Sequence, residues 1–244
     1  MSLLSGLLLL GACDESEETG DDPSVVDSYP IPTGDEILLW TGHGGATGSG
    51  GGAGSMDDIS TQWEENFGFT VRSKTNLPTD LEKYRVIFMV AHGFNGGAAA
   101  YTDTEVTQLT AALEAGTRLV VMAETVTCSE PAVDELLAKL GVTSIFNGDR
   151  EDTGRILTIN AIEASAVLME EVTELQIRDP CFVSPGDDAT GLFADDLTRL
   201  IATVERPGNT GDIVLIGDIR FMDDGGLLTA SDNAILANNL VDIR

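Results

Sequence analysis

Three side chains of this sequence could act on a ligand from one place. His43, His92 and Glu124 each lie just beyond the end of a short apolar or β-branched run. His43 and His92 are also the chain's two histidines. If those runs are central strands of a doubly wound sheet, the three residues could converge beyond the strands' carboxyl ends. Ligands bind such sheets there, near the point where strand order reverses. Two imidazoles and a carboxylate make a zinc set with an open fourth position, the equipment of a metal-dependent hydrolase. The competing reading is structural: the same groups hydrogen-bond loop backbones and neighbouring side chains. No further aspartate or histidine stands at a recognised metal spacing, so the expectation is a ligand-binding rim of His43, His92 and Glu124 without metal or cofactor.

Of the three cysteines, Cys13 closes the run Leu10-Gly11-Ala12-Cys13. This resembles the lipobox of bacterial lipoproteins, in which the cysteine is diacylated and becomes the mature terminus. Residues 1–12 then read as the signal peptide, although no Lys or Arg precedes the apolar run. Leu3 to Ala12 is ten residues, about half of what a membrane-spanning helix requires. Behind an export signal, Cys128 and Cys181 would sit in an oxidising compartment with only each other to pair with. A disulfide is the expected outcome, with metal binding by the pair as the lesser alternative.

Residues 13–35 read as an acidic, disordered tether. Nine acids and no base fall between Asp14 and Glu36, and such a stretch cannot bury enough surface to offset its ordering entropy. The expectation is therefore a lipid-anchored protein of the cell envelope, on its periplasmic or surface side, with an envelope protein as a candidate partner. A formal charge of −28, from 41 acids against 13 bases, excludes an electrostatic grip on nucleic acid. Salt adaptation accounts for such a shell. Calcium binding is the sharper alternative, but Asp187-Asp188, Asp195-Asp196 and Asp223-Asp224 are pairs and not the twelve-residue loop calcium needs.

Residues 42–54 hold eight glycines in thirteen positions, and Gly48 to Ala53 formally match a dinucleotide fingerprint. A real fingerprint sits directly after its strand, with an acid closing the second strand. Here that strand ends in Arg72-Ser73-Lys74, so the stretch reads as a surface loop.

Residues 36–244 read as one α/β domain with a mainly parallel sheet, doubly wound and flanked by helices. Strands are predicted at 36–41, 69–74, 85–91, 118–123, 143–146 and 213–219. Helices are predicted at 56–67, 102–115, 131–140 and 230–240. Thr102-Asp103-Thr104-Glu105 has capping-box spacing. Residues 155–177 suggest one or two strands, with antiparallel pairing a candidate arrangement, and 194–204 a helix or an extended segment.

Three features together resemble the class I glutamine-amidotransferase-like, flavodoxin-like domains of bacterial transporter auxiliary proteins and of an intraflagellar transport protein. They are a strand ending in Gly42-His43-Gly44; Leu81 to Phe88 with a helix and Gly116 to Val121 after it; and the close Gly211 to Asp218 with Asp232-Asn233 opening the last helix. In amidotransferases of this class a nucleophilic cysteine occupies the turn after a central strand, activated by a distant histidine. In this chain Glu124-Thr125 occupy the matching turn, and no histidine follows Cys128. The resemblance therefore implies the fold without the Cys-His dyad, and the expected role is non-catalytic binding or scaffolding.

Overall fold

A computed structural model describes residues 30–46, 55–162, 167–195, 198–208 and 210–243. The signal peptide, Cys13, nearly all of the tether and the Gly48–Ala53 stretch lie outside the described residues.

The centre is a seven-stranded sheet. Its strands are β1 (Glu36–Trp40), β2 (Thr70–Lys74), β3 (Tyr84–Val90), β4 (Arg118–Met122), β9 (Thr190–Ala194), β10 (Leu200–Glu205) and β11 (Ile213–Ile216), in the order β2-β1-β3-β4-β11-β10-β9. The first five are parallel; β10 and β9 extend the sheet antiparallel. The parallel part has the flavodoxin-like order, with its switch point between β1 and β3.

Strand periodicity explains the layering. Alternate residues of β1 and β3 enter different cores: Ile37, Leu39, Val86, Phe88 and Val90 one, Leu38, Trp40, Ile87 and Met89 the other. The helices α1 (Asp57–Phe67) and α4 (Asn233–Val241) cover the first face through Ile59, Trp63, Leu236 and Leu240. The other face carries α2 (Asp103–Glu114) and α3 (Pro131–Lys139), through Leu109, Leu113, Leu136 and Leu137. The sheet is doubly wound, because strands buried on both faces must be covered on both.

Residues 155–177 resolve into β6 (Ile156–Asn160) and β7 (Glu174–Arg178), paired antiparallel. The predicted strand at 143–146 begins later, as β5 (Ile145–Arg150), and pairs with β8 (Cys181–Ser184), which the sequence pattern did not reveal. Between the helical and extended readings of 194–204, the extended one holds. Ala194 ends β9 and Leu200 opens β10, and the β-branched Ile201, Thr203 and Val204 suit a strand.

Two polar contacts lock the ends of the helices. The Arg118 guanidinium, opening β4 and only 4% exposed, donates to the Asn239 and Leu240 carbonyls at the end of α4 and pairs with Asp212 at 2.9 Å. A cation there meets the negative end of the helix dipole. At the other extreme, the Asp224 carboxylate accepts from the backbone N–H groups of Asp57 and Asp58 at the start of α1 and from the Ser55 hydroxyl. The positive end of the α1 dipole is thus met by a carboxylate of the chain itself.

Cys128 and Cys181 form a disulfide with Cα atoms 5.2 Å apart. It ties the segment after β4 to the first residue of β8, and both residues are buried. Closing a loop of sequence separation 53 is worth roughly 4 kcal/mol in the chain-entropy model. Urea unfolding of the Cys128→Ser/Cys181→Ser protein should therefore give a stability lower by about that amount, and an unchanged midpoint would remove this role from the disulfide.

Candidate functional site

The crevice between the carboxyl ends of β1 and β3 is built from two tight loops. His43 follows β1 at φ 50° and Ala91 follows β3 at φ 44°, both in the left-handed region that non-glycine residues seldom occupy. The loops are joined by backbone bonds from Gly93 N–H to the His43 carbonyl (3.0 Å) and from Asn95 N–H to the Gly44 carbonyl (2.7 Å). The Asn95 side chain adds a bond to the Gly45 carbonyl. Strain of this kind persists only where the surroundings over-determine the backbone.

His92 is 2% exposed. Its Nε2 lies 2.9 Å from the Trp40 carbonyl, which can only accept, so Nε2 carries the proton. Nδ1 is then the acceptor for the Tyr101 hydroxyl at 2.7 Å. Burial pushes the imidazole down to about 4, against the Trp40 carbonyl, which favours the charged form. Burial likewise raises the Tyr101 phenol, with the Glu105 and Glu130 carboxylates adding to it. Both groups are neutral at pH 7.

His43 stacks on the Tyr101 ring at a centroid distance of 4.2 Å and on His92 at 5.6 Å. Trp40 meets His92 edge-on at 4.7 Å. His43 Nδ1 faces the Ala99 carbonyl at 2.8 Å and Nε2 faces Glu105 Oε1 at 2.9 Å. Both partners, a backbone carbonyl and a carboxylate, are acceptors. Glu105 also completes the capping box of α2: its Oε2 accepts from the Thr102 N–H at 2.8 Å, and its own N–H donates to Thr102 Oγ1. Burial would raise this carboxyl, but the Thr102 and His43 hydrogen bonds outweigh it and hold it below its ordinary value.

Glu124 belongs to a different cluster. It follows β4, as expected, and is 6% exposed. Its Oε1 lies 3.4 Å from Arg220 Nε, and its Oε2 is buried without a hydrogen-bond partner. Burial raises its carboxyl, with Arg220 opposing. Asp218 follows the adjacent β11 and accepts from the backbone N–H groups of Arg178 and Arg220 at 2.8 and 2.7 Å. Burial pushes Asp218 up to about 8 against those donors, and the Glu124 and Asp223 charges push the same way.

His43 and His92 thus come together as stacked rings, while Glu124 joins Arg220 and Asp218. Each imidazole nitrogen already faces a partner within the protein. Among the described residues no group of three or more His, Cys, Asp or Glu side chains is placed to hold a metal ion. Of the paired aspartates, Asp224 caps α1 and Asp195 pairs with Arg199. Sequence reasoning missed Tyr101 and Glu105 as partners of the histidines. The capping-box spacing located Glu105, but nothing in it pointed towards His43.

No family model matches the chain, and no curated protein matches it. Solved structures do. A cytoplasmic protein from Salmonella typhimurium LT2 superposes with a TM-score of 0.59 at 11% identity, over 84% of this chain and 98% of that one. A ThuA-like protein from Bacteroides uniformis gives 0.58 at 12% identity over 90% and 94%. The mmIFT52 N-terminal domain gives 0.57 at 13% over 83% and 94%. These likenesses show the fold alone, the doubly wound, flavodoxin-like arrangement described above.

The buried neutral His92 makes stability depend on pH. Unfolded, the imidazole takes up a proton below about 6.5, whereas the folded ring resists until about 4. Stability contributed by the neutral ring is therefore present above pH 6.5 and lost as pH falls to 4, by roughly 3 kcal/mol in all. The difference in unfolding free energy between the wild type and His92→Gln should shrink over that window; a pH-independent difference would contradict a neutral buried ring.

Proposed function

We propose that this chain is a lipid-anchored, non-catalytic binding or scaffold domain of the cell envelope. On this reading residues 1–12 are the signal peptide, 13–35 the tether and 36–244 the body. The observation that carries the non-catalytic part is the occupancy of the reactive corner. The turn after β4 presents Glu124, packed against Arg220, where amidotransferases of this fold place a nucleophilic cysteine. The nearest cysteine in sequence, Cys128, is bonded to Cys181, and a disulfide sulfur cannot supply the thiolate that such chemistry needs. The two imidazoles are committed to the Trp40, Tyr101, Ala99 and Glu105 partners and hold no lone pair open to a substrate.

The disulfide also supports an oxidising compartment, because buried structural disulfides persist where thiols are not kept reduced. The polarity of the fold supports an anchor at one end. Pro30 and Pro32 pack on Gly116, just before β4, so the chain enters at the amino edge of the sheet. The crevice of His43 and His92 lies at the opposite edge. A membrane-held amino terminus leaves that rim facing outward, towards a soluble ligand or an envelope partner.

The rival reading is a metal-dependent hydrolase using His43, His92 and Glu124, and the separation of Glu124 from the stacked imidazoles weighs against it. Metal analysis of the purified protein distinguishes the two: the proposed reading expects no stoichiometric zinc, and zinc lost on substituting either histidine would reverse it. Replacing Cys13 by Ser should move the protein from the membrane fraction to the soluble one; retention in the membrane would defeat the anchor.

A further inference from the structure

The outer edge of β7 is closed by side chains and not by a strand. β7 pairs with β6 along one side, and the N–H groups of Glu174, Gln176 and Arg178 point the other way. All three are met by the segment that leads from β11 into α4. Asp232 Oδ2 accepts from Glu174 at 3.0 Å, Asn233 Oδ1 from Gln176 at 2.9 Å and Asp218 Oδ2 from Arg178 at 2.8 Å. Uncovered, such an edge is a template for pairing with another chain.

The three caps differ in how they respond to protons. The Asn233 amide does not titrate. Asp232 is exposed, and the Thr173 and Glu174 N–H groups hold its carboxyl below the ordinary value, so it stays charged. Asp218 is 1% exposed, and burial pushes it up to about 8. Strand register adds to this. Ile216 of β11 pairs with Met122 of β4, and the Ala123 N–H donates to the Ile216 carbonyl at 2.9 Å. Glu124 and Asp218 therefore leave neighbouring strands side by side, and the Glu124 charge opposes a second one.

The other charged groups of this corner do not relieve Asp218. Asp223, buried on the same connection, also disfavours its charge. Arg220 is turned to Glu124 at 3.4 Å, and Arg150 donates to the Thr125 carbonyl at 3.0 Å. At the end of β7, Asp179 accepts from the Thr153 and Gly154 N–H groups. The Arg178 and Arg220 backbone donors favour the carboxylate, but burial outweighs them. Asp218 thus keeps a proton at pH 7 while it caps Arg178.

We propose that Asp218 is a proton-operated latch on the carboxyl end of β7. Protonated, it stays buried and seals the Arg178 N–H. When the proton leaves, the carboxylate is drawn towards water and the edge opens at Arg178, while Glu174 and Gln176 remain capped. Once in water the carboxyl returns to its ordinary 3.8, so opening releases one proton at any pH between there and about 8. The opening equilibrium then rises about tenfold per pH unit across that window and levels off above it. This is opposite in sign to His92, whose contribution is lost as pH falls. The latch does not depend on the membrane anchor.

Hydrogen exchange of single amides in the full chain carrying Cys13→Ser tests this, with rates corrected for the intrinsic effect of pH. The Arg178 amide should open more readily than that of Gln176, and its opening should increase about tenfold per pH unit from pH 5 to 7. Asp218→Asn keeps an acceptor but cannot ionise, and should abolish that dependence. Glu124→Gln leaves the latch in place and should move the levelling-off to lower pH, a readout that stands even if Asp218→Asn does not fold. Opening of Arg178 and Gln176 in step, an Arg178 opening indifferent to pH, a slope that persists in Asp218→Asn, or a levelling-off unmoved by Glu124→Gln would each overturn the proposal.

Discussion

An imidazole with almost no exposure is tolerable only if both ring nitrogens are matched, since a buried unpaired polar group costs about 1–3 kcal/mol. The chain from the Trp40 carbonyl through His92 to the Tyr101 hydroxyl meets that condition without charge. Because His92 follows β3 and Trp40 ends β1, satisfying one ring fixes the separation of the two central strands at their carboxyl ends. Tyr101 then presents its face to His43, and His43 reaches Glu105, which caps α2 with its other oxygen. A single run of hydrogen bonds and stacked rings thus couples two strands, two loops and the start of a helix.

That coupling clarifies the difference between what the sequence made legible and what it did not. The central strands could be read because they are buried on both faces and appear as continuous apolar runs. The helices could be read because α2 has a capping box at Thr102 and Glu105 and α3 a proline at its first turn. The outer strands β5 to β10 were harder, since short antiparallel pairs such as Cys181–Ser184 have too few residues for a period to emerge. Their identity is set by the partner across the ladder, which is a tertiary fact.

The site was legible in part for the same reason. Position after a strand end is local information, and it placed His43, His92 and Glu124 on the correct edge of the sheet. Which of them meet depends on side-chain direction after a turn. His43 and Ala91 leave their strands in the left-handed conformation, which aims the two imidazoles into the β1–β3 crevice. Glu124 leaves β4 extended, at φ −135°, and meets Arg220 from the segment after β11. Spacing in the chain carries no trace of that divergence.

The contrast at the end of β4 has a chemical consequence. A nucleophilic cysteine at such a turn must be ionised, and neighbouring cations or helix dipoles serve that end. Here the corner is arranged in the opposite sense. Burial raises both Glu124 and Asp218, and the Glu124 charge raises Asp218 further. A thiol placed at position 124 would inherit that environment, with Arg220 opposing it and the imidazoles turned away. Sulfur at that turn would therefore not be an ionised nucleophile. Ionising it would require the carboxylate neighbourhood and the crevice hydrogen bonds to change together, because each part of this corner is held by the others.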